Sequence, residues 1–110
     1  MGLFAAGKVV VLPYPYSDLT GAKLRPVLLL ADAGRGDWIG SQITSNPFAD
    51  ARAVSLSQNE FSTGGLDHLS YLRPGKLFTA SESLIVKSLG SVTPAVLRLV
   101  RDSVIQIIGT

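Results

Sequence analysis

The apolar positions fall into short runs separated by turn-forming residues. Lys8 to Leu12 is a β-branched run apolar on both faces, and Pro13 and Pro15, which cannot donate ladder hydrogen bonds, are expected to stop it. Ser17 to Lys23 carries Asp18, Thr20 and Gly21, residues that bond the local backbone or accept positive φ, and reads as a turn between strands. Arg25 to Ala31 opens with a proline and continues Val27, Leu28, Leu29, Leu30, a second buried strand. After a turn at Gly34 to Asp37, Trp38 to Thr44 alternates as a third strand that Asn46 and Pro47 end. Ala53 to Ser57 supplies a fourth, and the stretch through Gly64, Gly65 and Asp67 reads as loop. Leu69 to Phe78 resumes extended character, with Pro74 and Gly75 marking an edge or a bulge. Ile85 to Leu89 forms a further strand that Gly90 closes.

The period changes once. Thr93 followed by Pro94 is a helix start, a hydroxyl able to cap the first turn before a proline whose missing N–H needs no partner. Leu97, Val100, Val104, Ile107 and Ile108 then share one helical face. Close-set strands plus one late helix predict a mainly β chain of five to seven strands, a small antiparallel barrel with a C-terminal α-helix, in a single domain over residues 1–110.

Composition removes chemistry more than it adds any. With no Cys and one His among 110 residues, disulfides, a thiol nucleophile, thiolate metal sites and a within-chain His pair are all excluded. Ten basic and eight acidic side chains leave a net charge of +2, which suits a local patch facing a polyanion rather than a basic arm. No apolar run approaches the roughly 18 residues of a membrane span, and the first eight residues lack a leader pattern, so a cytoplasmic location without membrane contact is expected. No phosphate loop, H-E-x-x-H, G-x-S-x-G or Ca²⁺-loop pattern occurs, and neither metal nor cofactor is expected. What remains is a set of polar groups at strand ends, Arg25, Thr44, Ser45 and Arg73, where a sheet holds side chains toward a ligand.

The run GKVVVLPYPYSDLTG (7–21), then KLRPVLL (23–29), QITSNP (42–47), AVSL (53–56) and SYLRPGKLFT (70–79), resembles the MazF/PemK toxins of toxin–antitoxin systems from about Gly7 to Gly90. The resemblance implies an SH3-like barrel, a homodimer, metal-independent and sequence-selective cleavage of single-stranded RNA, and inhibition by a cognate antitoxin. A dimer interface would also account for a mean hydropathy of +0.34 in so short a chain. Carried over position by position, it implies catalytic roles for Arg25, Thr44 and Arg73. The guanidinium of Arg25 would hold the charge that builds on phosphorus as the ribose 2′-OH attacks, and Thr44 would donate to the same oxygens.

RNA contacts fall to Ser45, Tyr16, Lys23 and His68, Ser45 only if the strand has ended before it, because adjacent strand residues face opposite ways. Tyr14, Tyr16 and Phe48 either pack in the core or stack on bases. Where the family commonly carries an Asp two positions after Arg73, this chain has Gly75, so Asp18, Glu60, Asp67 or His68 would have to take the 2′-OH proton. Two other readings stay open: a family member that binds RNA or antitoxin without efficient cleavage, and a plain SH3-like interaction module.

Overall fold

A computed structural model describes residues 4–47 and 49–109. Phe48, assigned above to core or base stacking, lies outside the described residues. Seven strands, β1 (Lys8–Pro15), β2 (Ala22–Gly34), β3 (Asp37–Thr44), β4 (Val54–Leu56), β5 (Phe61–Gly64), β6 (Ser70–Ser81) and β7 (Lys87–Val92), form one antiparallel sheet in the order β4-β6-β3-β2-β1-β7-β5. The sheet curls so that its two edge strands meet in one core: Leu56 of β4 and Phe61 of β5 are buried together with Val9, Leu28, Ile43 and Leu72. Helix α1 (Pro94–Gly109) plugs this inner core with Val96 and Val100. The expected mainly β, SH3-like antiparallel barrel with a C-terminal helix is the observed architecture.

The opposite face of β1 and β2 is also buried, around Val10, Leu12, Tyr14, Val27 and Leu29, which is why these two strands read as continuous apolar runs rather than alternating ones. The β2–β3 hairpin turns on Arg35 and Gly36, both at positive φ (57° and 79°), the backbone of the two-residue turn whose twist suits a hairpin.

Several boundaries differ from expectation for identifiable reasons. β1 continues through Pro13 and Pro15 to pair with Leu24 and Ala22. Val11 directs its carbonyl away from β2, to the N–H of Val86, so Pro13 and Pro15, two and four residues on, turn their N atoms toward a side where β1 has no partner beyond Val11. β5 was read as loop, and β7 does not end at Gly90 but runs through it at φ 145°. The two findings have one cause, the close crossing of β5 and β7. A Cβ on Gly64 would lie 2.1 Å from the Leu89 carbonyl oxygen, and one on Gly90 would lie 2.2 Å from that of Thr63. The helix starts as expected, with Val96 N–H donating to Thr93 Oγ1 at 3.4 Å. Its buried stripe, however, is Val96, Leu97, Val100 and Val104, while Ile108 is exposed where the helix outruns the sheet. Arg101 fixes the helix to the sheet by donating from Nε and Nη2 to the Leu30 carbonyl, at 3.0 and 2.7 Å.

Candidate active site

Strand register decides which polar side chains meet. Leu12 pairs with Arg25, Val27 with Gln42, Gln42 with Arg73 and Thr44 with Tyr71. The β2–β3 pairing ends at Val27–Gln42, and Arg25 and Thr44 each lie two residues beyond it. Cross-strand partners share a face, so Arg25, Gln42, Thr44, Tyr71 and Arg73 all lie on the face of the second core cluster, just beyond its apolar residues. The three residues assigned catalytic roles from the resemblance therefore occupy two adjacent rows of one face. Gln42 lies among them, buried, with its amide oxygen lacking a hydrogen-bond partner.

β6 reaches this arrangement through the bulge expected at Pro74. Arg73 pairs with Gln42 and Leu77 with Ser41, so Pro74 to Lys76 are extra residues on β6. Two freed carbonyls find side-chain donors: Ser41 Oγ donates to Arg73 O at 2.7 Å, and Tyr14 Oη to Lys76 O at 2.6 Å. Burial pushes the Tyr14 phenol up to about 12, partly offset by the nearby Arg73 cation.

Arg73 donates from Nε to Asp50 Oδ2 at 3.0 Å, and both side chains are mostly buried. That hydrogen bond, followed by one from the Arg52 N–H, holds the Asp50 carboxyl below the usual carboxylate range. A carboxylate so held stays ionised but takes up protons poorly. Thr44 is also buried, and its hydroxyl both donates to Asn46 O at 3.1 Å and accepts from Asn46 N–H at 3.2 Å. This local hydroxyl–backbone turn ends β3 and leads the chain out of the sheet at Ser45.

Around the ends of β2 and β3 opens a cavity of about 310 Å³, lined by Arg25, Thr44, Ser45, Asp67, His68 and Lys87 among others. β3 ends at Thr44, and Ser45 lines the cavity together with Ile43 and Thr44. The loop after β5 closes one side, with the His68 carbonyl held by Ser70 Oγ at 3.0 Å. Lys87, opposite Val11 at the start of β7, adds a second cation that sequence reasoning missed.

Other assigned residues lie elsewhere. Arg73 does not line this cavity, and Lys23 is an exposed residue of the β1–β2 hairpin opposite Tyr14. Tyr16, also exposed, lines a separate cavity with Tyr14, Leu19, Gly75, Lys76 and Leu77. Of the candidates for proton acceptor, Asp18 is bound by the Thr20 N–H and hydroxyl in the hairpin turn and Glu60 by the N–H and hydroxyl of Ser57, and both are held below the usual carboxylate range by those bonds. Neither lines the cavity at Arg25; Asp67 and His68 do. Asp50 was not foreseen, since nothing in its local sequence links it to an arginine 23 residues away.

No protein-family model matches the chain, and no curated protein sequence matches it. Solved structures do. MazF from Deinococcus radiodurans superposes over 100% of both chains at 20% identity with a TM-score of 0.76. MazE–MazF from the same organism covers 99% of both chains, again at 20% identity, with a TM-score of 0.73. An endoribonuclease in complex with its cognate antitoxin, from a mycobacterial species, covers 99% of this chain and 96% of its own at 19% identity, with a TM-score of 0.70. The protein has the fold of these toxins over its whole length.

Proposed function

We propose that the protein is a MazF/PemK-type toxin, a sequence-selective endoribonuclease that cleaves single-stranded RNA without a metal, acts as a homodimer in the cytoplasm, and is held inactive by a cognate antitoxin. The observation that carries this reading is that Arg25 and Thr44 line one cavity in a chain whose whole length follows the fold of such enzymes. The fold likeness alone would leave the chemistry open; the paired donors supply it.

Attack of the ribose 2′-OH on the adjacent phosphorus places additional charge on the phosphoryl oxygens. A guanidinium carried by β2 on the cavity wall binds that charge more strongly than the diester it came from. Turning the Thr44 hydroxyl from Asn46 O toward a phosphoryl oxygen exchanges one acceptor for another and adds a second donor. Ser45 and Lys87 add to the polar wall of this cavity, and Tyr16 and Lys23, on the β1–β2 hairpin, are assigned to a flanking nucleotide. None of these steps calls for a metal.

Inducible expression followed by mapping of new 5′-hydroxyl RNA ends tests the proposal. Ends recurring at one short sequence, with purified protein equally active in EDTA, are expected. RNA bound but left intact, or cleavage abolished by the chelator, would overturn the assignment.

A further inference from the structure

We infer that His68 is the group that accepts the ribose 2′-OH proton, a role that rests on the ribonuclease reading above. The reaction needs a proton acceptor next to the Arg25–Thr44 pair. Position 75, where the related toxins commonly carry an acid, is glycine and lines a different cavity. Asp18 and Glu60 are engaged in turns outside the Arg25 cavity, and Asp50 is tied to Arg73. Among the described residues lining the cavity, the carboxylate of Asp67 and the imidazole of His68 are the side chains able to take up a proton, against the cations Arg25 from β2 and Lys87 from β7.

Between these two the chemistry favours the imidazole. A general base works best when its ordinary pKa lies near the working pH, as that of an imidazole does and that of a carboxylate does not. His68 is exposed, but its backbone is anchored where the loop joins β6, by Ser70 Oγ donating to its carbonyl at 3.0 Å. The imidazole thus hangs from a fixed point on the cavity wall, free to turn toward a bound ribose.

In the step assigned to it, the 2′-oxygen forms a bond to phosphorus as the P–O5′ bond breaks. The 2′-OH proton passes to the imidazole, and the departing 5′-oxygen takes a proton from water. The products are a 2′,3′-cyclic phosphate and a 5′-hydroxyl, and the imidazolium returns its proton to solvent.

His68 is the chain's one histidine, so its Cε1–H resonance reports its titration without assignment ambiguity. The test compares the pH dependence of kcat/KM for RNA cleavage by the wild type, His68→Gln and Asp67→Asn with that resonance in the free protein. In the wild type, kcat/KM should climb with pH through a limb whose midpoint matches the imidazole titration. His68→Gln should lose about a hundredfold and that limb together, with an unchanged melting temperature, while Asp67→Asn keeps the limb. The resonance should also shift when a 2′-fluoro oligoribonucleotide, which cannot be cleaved, is added to the wild type.

A His68→Gln enzyme within twofold of wild type and with the same limb would overturn the role of His68 while leaving the ribonuclease reading intact. A limb lost in Asp67→Asn instead would do the same and move the role to the carboxylate. Wild-type protein that neither binds nor cleaves RNA would overturn the ribonuclease reading, and this role with it.

Discussion

Two cavities of equal size, each about 310 Å³, open on the same barrel, and they differ in what their walls are free to do. The first, at the ends of β2 and β3, gathers Arg25, Lys87, Asp67 and His68 around the Thr44–Ser45 turn. The second, between the β1–β2 hairpin and the β6 bulge, has the ammonium of Lys76 as its one charge, and that group is hydrogen-bonded to Ser17 Oγ. Its other walls are Tyr14, Pro15, Tyr16, Leu19 and Leu77, with Tyr14 stacked on Phe78 at a ring separation of 5.1 Å and hydrogen-bonded to Lys76 O. One cavity gathers charged side chains and an imidazole. The other spends its polar groups on holding the bulge. Size therefore says little about chemistry here, and position 75 lines the second cavity, not the Arg25 cavity.

Substitutions in the first cavity should have the largest effects. Arg25→Ala and Thr44→Ala should each lower RNA cleavage by at least about a hundredfold, the usual consequence of losing a transition-state donor. Arg25→Lys should recover little, because an ammonium cannot reproduce the planar fork. Thr44→Ser retains the hydroxyl and should stay within severalfold of wild type. Thermal melts run beside the assays separate chemistry from folding, most of all for Thr44→Ala, which also leaves the Asn46 N–H without its acceptor. Wild-type rates in both alanine variants would erase the distinction between the two cavities.

The contrast was only half legible in the sequence. Period-2 runs, the Pro and Gly punctuation and the Thr93–Pro94 cap located six of the seven strands and the helix, because those signals are local. β5 escaped because its reason to be a strand is tertiary: Gly64 has a glycine so that β7 can pass close by, whereas in sequence it reads as a loop signal. The same limit applied to side chains. Arg25, Thr44 and Arg73 stood out at strand ends, but the division of Arg73 from the Arg25 cavity depends on Asp50, and the approach of Lys87 depends on a β1–β7 pairing 76 residues apart in sequence.

Stability should respond chiefly at the second cavity. Tyr14→Phe removes the donor to Lys76 O and should cost about 1 kcal/mol, a few degrees in melting temperature, with little change in cleavage. Its pH signature has a definite sign. With the phenol raised to about 12 in the folded state, its contribution is complete below the unfolded value near 10 and is lost as pH rises from there through 12, so wild type should destabilise over that window more than Tyr14→Phe. Asp50 acts in the other direction. Its lowered carboxyl contributes stability above the unfolded value near 4, and that contribution is lost as pH falls further, so Asp50→Asn should flatten the acid side of the profile. Chemical denaturation at a series of pH values reads both.

The smallest effect should come from Gly75→Asp, which makes it the sharpest test of the separation. Gly75 is not at positive φ, and a Cβ there meets nothing within 4 Å, so the aspartate fits without backbone strain and the loss of glycine's extra unfolded-state freedom leaves stability equal or slightly raised. Were the missing acid at this position the sole obstacle to rapid proton transfer, the new carboxylate two residues from Arg73 would raise the cleavage rate several-fold. With proton transfer organised at the first cavity, it should instead leave kcat/KM within about twofold of wild type and its pH limb unmoved. A several-fold gain at neutral pH with an unchanged melt would join the two cavities into one site and return the proton-accepting role to β6. An unchanged rate, alongside an unchanged melt, keeps that role on the wall shared by Arg25, Thr44 and the loop after β5.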